Sequence, residues 1–210
     1  MKLTTLILLI TISPYSNLHA QLLQSYGLKV GVVGANQSWR FLGVPELPTN
    51  NRWGFTASAF LEFFDHSSLS VLLEVQYTQK GMSESIPLTT ESQPEGTGEF
   101  RTIRPRADYI SMPLLVKLRY PQSVLSPYLI AGPRVDRLLY TRGDGYDAVV
   151  DKFHTFEFGA TIGIGLENTS LLPVSVLAEF RYNASFTHSF RNDYVNVTNR
   201  SIDFVVGVHL

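Results

Sequence analysis

The sequence predicts an all-β fold: an eight-stranded antiparallel up-and-down transmembrane β-barrel with short periplasmic turns and long extracellular loops. Three observations predict it. Apolar and polar residues alternate in eight segments between residues 26 and 210, the connections alternate between long and short, and the N-terminus has the form of a secretory leader.

In the leader, Met1-Lys2 is a short positive region, Leu3 to Ile12 an apolar run and Leu18-His19-Ala20 a small-residue exit. Cleavage is therefore expected between Ala20 and Gln21, leaving 21–210 as one barrel domain after a 1–20 signal peptide. Glutamine at that point gives no cysteine for a lipid anchor. The apolar run falls well short of the roughly 20 residues a membrane-spanning helix needs, and no later segment meets that length either. Cysteine is absent, which argues against a disulfide-stapled secreted module. The formal charge of -1 offers nothing to nucleic acid, so no nucleic-acid partner is expected. Charged residues make up 17% of the chain, below the roughly 25% usual in soluble domains. A neutral wall facing lipid accounts for the shortfall.

Strands are expected near 26–36, 53–64, 69–80, 108–120, 127–140, 153–167, 174–186 and 200–210. The seventh is the clearest. Val174, Val176, Ala178, Phe180 and Tyr182 fall on one face, and Ser175, Leu177, Glu179, Arg181 and Asn183 on the other, because successive side chains of a strand point oppositely. Connections at 65–68, 121–126 and 168–173 are short, whereas those at 37–52, 81–107, 141–152 and 187–199 are long. This alternation places both termini in the periplasm and requires an even number of strands. Aromatic residues cluster near strand ends, with Tyr26, Phe63, Phe64, Tyr120 and Tyr128 at the periplasmic level and Trp53, Phe55, Tyr77, Tyr140, Phe156, Tyr182 and Phe186 at the outer one. The last strand puts Ile202, Phe204, Val206, Val208 and Leu210 on one face.

Several stretches in this order, YGLKVGVVGAN, LLEVQYTQKG, YISMPLLVKLRY, PYLIAGPRV, FGATIGIGLE and VLAEFRY, resemble the PorT-type family of outer-membrane β-barrel proteins over nearly the whole mature chain. The resemblance implies an outer-membrane location. Some members of that family are linked to a protein-secretion system and to surface motility. It carries no catalytic motif onto numbered positions of this chain.

Projecting the alternation inward gives Lys29, Glu62, Glu74, Lys117, Arg119, Arg134, Asp136, Glu157, Glu179, Arg181 and Asp203. An eight-stranded barrel is only wide enough for side chains to fill it, so these charges are expected to pair across neighbouring strands as a structural plug. The alternative, an ion path or proton relay, needs a continuous water column. Counting residues up from the periplasmic ends puts Arg181 and Asp203 at one height as inward neighbours, with Glu74 and Lys117 less closely matched.

No catalytic, cofactor-binding or metal site is assigned. His188-Ser189 sets a base beside a nucleophile, but neighbours on a strand point oppositely. Asp144, Asp147 and Asp151 crowd one loop without the full spacing of a calcium loop. Gly159, Gly163 and Gly165 share the inward face of the sixth strand and are expected to make room for bulky neighbours. The 81–107 loop is acidic at Glu84, Glu91, Glu95 and Glu99, then basic at Arg101, Arg104 and Arg106; it is either a binding element or an unselective surface. The leading functional reading is a non-enzymatic outer-membrane barrel, seated in outer-membrane lipid, that binds envelope or secretion-system proteins. A lipid-modifying outer-membrane enzyme is a second reading. A soluble lipocalin-like binder, which would invert the two faces, is a third.

Overall fold

The computed structural model describes residues 23–43, 49–66, 68–88, 90, 94, 97–122, 124–142, 153–168, 175–191 and 194–210. Among the described residues ten strands are formed: β1 (Leu23–Phe41), β2 (Asn50–His66), β3 (Leu69–Pro87), β4 (Phe100–Ile103), β5 (Arg106–Arg119), β6 (Leu125–Arg142), β7 (Phe156–Asn168), β8 (Val176–Ser185), β9 (Phe190–Arg191) and β10 (Val195–His209). Eight of them close an antiparallel ring in the order β1-β2-β3-β5-β6-β7-β8-β10, and β10 returns to pair β1 from Gly27 with His209 to Phe41 with Val195. Closure removes the free strand edges of the wall, so its backbone groups are paired with neighbouring strands, the condition for a sheet to lie in lipid.

The short strands β4 and β9 are appendages of this ring. β4 pairs the far end of β3, from Glu84 with Ile103 to Pro87 with Phe100, and β9 pairs the start of β10. The connection from 81 to 107, expected as a long loop, therefore carries a β-ribbon standing beyond the wall. Its base turns at Gly81, whose φ of 140° suits glycine and where a Cβ would meet the Pro105 carbonyl oxygen at 2.1 Å. The end of the barrel that carries the ribbon is called the loop end below, and the opposite one the turn end.

The phase of the strands is unambiguous. On β10, Ser201, Asp203 and Val205 are buried inside, while Phe204 is 51% and Val206 43% exposed outside. Charged residues turn inward and large apolar ones outward on the neighbouring strands too, the reverse of the lipocalin-like arrangement. A soluble protein would leave its apolar wall in contact with water; a bilayer supplies the partner that this surface lacks.

Several strands run further than the alternation suggests. β1 continues to Phe41, β3 to Pro87, and β10 begins at Val195. In β1 and β3 these extensions mix polar and apolar residues on one face, Gln37 with Trp39 and Phe41 and Met82 with Glu84 and Ile86, which ends the sequence pattern while the backbone ladder continues. The sixth expected strand instead starts late, at Phe156. Tyr128 is also corrected: it shares the inward phase of Ser126 and Ile130 and is buried in the lumen, not placed in the aromatic belt. Tyr26, Phe64 and Tyr120 at the turn end and Trp53, Phe55, Tyr140, Phe156, Tyr182 and Phe186 towards the loop end are exposed. The 1–20 leader, its Ala20/Gln21 junction, the turn residues 169–173, Glu91, Glu95, Asp144, Asp147 and Asp151 lie outside the described residues.

Candidate functional site

The inward-facing side chains form the densest polar assembly of the molecule, in layers along the barrel axis. Nearest the turn end, β2 contributes Glu62, β5 Lys117 and Arg119, and β7 Glu167. Lys117 Nζ lies 2.5 Å from Glu167 and 3.3 Å from Glu62, and Arg119 Nη2 donates to Glu62 at 2.8 Å while also pairing with Glu167. Ser70 donates a further hydrogen bond to Glu62 at 2.5 Å. Two cations and two carboxylates cancel.

Above them sits an apolar collar of Phe60, Leu72, Leu115, Tyr128, Ile130 and Leu177. It is coupled to the charges on either side: Lys117 Nζ lies 4.5 Å from the centre of the Tyr128 ring, and Lys29 Nζ 4.5 Å from that of Phe60. Such ammonium–ring contacts strengthen where water is excluded.

The next layer joins four residues from β1, β3 and β8. Arg181 donates two parallel bonds to Glu74 at 2.8 Å each, and its Nε donates to Glu179 at 2.6 Å. Lys29 Nζ lies 2.5 Å from Glu74 and 3.0 Å from Glu179, and the Tyr128 hydroxyl donates to Glu179 at 2.7 Å. Removing four ions from water costs several kcal/mol each, so the assembly is tolerable only because the charges cancel and the carboxylates are multiply hydrogen-bonded. Gly163 and Gly165 make it fit. A Cβ on Gly165 would meet the Tyr128 ring at 2.3 Å, and one on Gly163 would meet the Phe180 carbonyl oxygen at 2.7 Å and Arg181 Cγ at 3.1 Å. Gly159 answers to backbone instead, with a Cβ there 2.3 Å from the Ala184 carbonyl oxygen.

Towards the loop end Asp203 accepts from Gln76 at 3.2 Å and Ser201 at 3.0 Å. Lys80 reaches Asp136 at 2.5 Å, Arg134 reaches the same carboxylate at 3.0 Å, and Lys80 Nζ lies 4.7 Å from the Tyr109 ring centre. Glu157 accepts from Tyr109 at 2.6 Å, Ser185 at 3.0 Å and Asn199 at 2.9 Å. Trp39, Leu138 and Phe153 pack over Ala107 and Tyr109 beyond this layer.

Ten of the eleven projected side chains are thus fully buried inside the ring; Arg119, at the turn-end mouth, is partly exposed. Their partners differ from the expected ones. Arg181 is aligned with Asp203 but bonds Glu74 and Glu179, and Glu74 and Lys117 belong to different layers. Lys80 and Glu167 are network members that the projection omits, although each has the inward phase of its strand; both sit at an expected strand end.

At the turn-end mouth a cavity of about 450 Å³ is lined by Ser25, Glu62, Arg119, Glu167 and His209, among others. Ser25 Oγ and His209 Nδ1 are 3.0 Å apart. His209 Nε2 is 3.8 Å from Glu167, too far to be oriented by it, and both carboxylates are committed to Lys117 and Arg119. This pairing of the two chain ends has no local sequence signal, since ring closure creates it. His188 and Ser189 do not pair with each other: His188 Nδ1 faces Thr198 at 3.3 Å and Ser189 is fully buried.

With the ring and its packed interior in view, comparison with known proteins places the chain. Residues 19–191 match the family model described as outer membrane protein beta-barrel domain. The chain belongs to this family, and its location is accordingly integral to the outer membrane. No curated protein matches it. Among solved structures it is similar to the attachment invasion locus protein Ail of Yersinia pestis, solved with the heparin analogue sucrose octasulfate, at 12% identity and TM-score 0.41 over 89% of this chain and 99% of that one. It is also similar to Neisserial surface protein A, at 16% identity and TM-score 0.45 over 87% and 96%. A third is OprG from Pseudomonas aeruginosa, at 8% identity and TM-score 0.48 over 90% and 97%.

Proposed function

We propose that this chain is a non-enzymatic outer-membrane barrel that acts by binding a protein partner, as an accessory of the cell envelope or of a protein-secretion system of the PorT type. In this reading the signal peptide is removed, both termini lie in the periplasm, the loop end faces the exterior, and the ionic network is a structural plug. The observation that carries it is a contrast within one molecule. The interior is filled by ion-paired and hydrogen-bonded side chains in successive layers, whereas the β3–β4 ribbon projects beyond the wall with Phe100 70%, Leu88 38% and Ile86 37% exposed. A long structured element on a rigid scaffold is where recognition resides. Ordering Phe100 and its neighbours in water costs free energy that a partner surface would return.

A photoreactive residue at Phe100 in living cells tests this. It should give one discrete adduct with an envelope protein, and deleting residues 84–103 should abolish that adduct while the barrel still inserts. Absence of any adduct, together with unchanged secretion and growth after the deletion, overturns the proposal.

A further inference from the structure

The exposed cations of this barrel are distributed on one side only. Among the described residues the fully exposed arginines lie at the loop end, including Arg40, Arg137, Arg142 and Arg200, whereas the turn end offers only Arg119, partly exposed and held by Glu62 and Glu167. The side chains of three of these, Arg137, Arg142 and Arg200, make no hydrogen bond or ion pair among the described residues.

Two of them share a patch with Arg106. On the outward face, Arg142 of β6 stands directly opposite Arg106 of β5, Tyr140 stands opposite Asp108, and Arg137 stands opposite Ile110 and, on the other side, Phe156. Arg106 is neutralised by Asp108, which it grips through two bonds of 2.6 Å, and is steadied by the Tyr77 hydroxyl at 2.9 Å. Arg142 is left exposed opposite Arg106, whose charge Asp108 already balances, so the Arg142 guanidinium has its donors open to an anion from outside the chain. Phe156, 52% exposed, stands level with Arg137, and one step further into the wall the surface is apolar at Phe158, 55% exposed, and Met112, 47% exposed. A ligand that satisfies both halves carries an anionic head on an acyl chain. The planar guanidinium favours phosphate, which it binds through paired N–H donors.

We propose that the outward face of β5 and β6 at the loop end is a headgroup site for a phosphate-bearing lipid. Arg137 and Arg142 donate to phosphate oxygens on either side of Tyr140, and the acyl chains lie along the wall beneath Phe156 and Phe158. The two Cα atoms are separated by four ladder steps, about 13 Å, which two extended arginines span towards one headgroup. The inference rests on the outer-membrane location established above and not on which way the loops point.

The full-length chain, refolded in phosphocholine micelles, should retain phosphatidic acid in preference to phosphatidylcholine in native mass spectrometry. Arg137→Gln and Arg142→Gln should each weaken retention about fivefold, the effect of one cation at an anionic lipid surface, and Arg191→Gln, on β9 away from the patch, should leave it unchanged. Heat-modifiable gel mobility checks that each variant is folded, and either single variant decides if the other does not fold. Equal retention of the two lipids, or unchanged retention in the folded variants, overturns the site. Displacement of the lipid by an equal concentration of inorganic phosphate overturns the lipid as its ligand.

Discussion

Arg181 stands directly opposite Asp203 in the β8–β10 ladder, yet its guanidinium turns away to grip Glu74 on β3. The energetic partner of a lumen charge is therefore set by reach across the barrel and not by ladder register. Replacing Arg181 with Met leaves Glu74 and Glu179 sharing Lys29 alone, and should cost on the order of 3 to 5 kcal/mol in urea unfolding from micelles. Adding Glu74→Gln leaves the Lys29–Glu179 pair intact and should recover much of the loss, whereas adding Asp203→Leu should not. Recovery by the second double variant and not the first would place the coupling in the ladder.

Gly165 and Tyr128 form a second such dependency. Gly165→Ala puts a methyl group into the Tyr128 ring, whose hydroxyl holds Glu179. Overpacking of this kind costs roughly 1 to 3 kcal/mol. The expected outcome is a lowered urea midpoint for Gly165→Ala and partial recovery when Tyr128→Leu is added. A Gly165→Ala barrel as stable as the parent would mean that the ring moves freely.

The wall should respond to depth. Val206 is the ladder partner of Ala178, and Phe204 that of Phe180, so arginine at Val206 or Phe204 enters the bilayer interior and should cost roughly 2 to 4 kcal/mol. Arginine at Ile202, next to Arg200 near the rim, should cost about 1 kcal/mol or less by the same depth profile. A flat profile in the same refolding assay would contradict the membrane band assigned to β10.

Topology can be read on intact cells. An epitope inserted after Thr97, in the ribbon connection, should be labelled without permeabilisation, and one inserted after Ser68, in the β2–β3 turn, only with it. The opposite labelling would invert the orientation proposed above.

Face and phase were legible because they are local: Phe180, Arg181 and Tyr182 declare their sides by alternation alone. The reach of β3 to Pro87 was not, since beyond Lys80 the alternation is scrambled, with Met82, Glu84 and Ile86 on one face, while the ladder continues. Ion-pair partners were hidden for a different reason. Lys29, Glu74 and Arg181 meet because strands tilt in a closed ring and long side chains cross it, and neither tilt nor rotamer is written in a window of ten residues. The contact of Ser25 with His209 joins the first strand to the last and is legible only after closure.

That closure also fixes when the protein can come into being. Gly27 finds its ladder partner only at His209, so β1 remains half-paired until the final strand has been synthesised and delivered. Contacts of such long sequence separation are slow to form, because the entropy of closing the loop is lost before any bond rewards it. Until then two unpaired edges, the half-buried charges of the lumen and an apolar wall are all exposed together. The interval between the synthesis of β1 and its pairing with β10 is therefore when this chain is most open to aggregation.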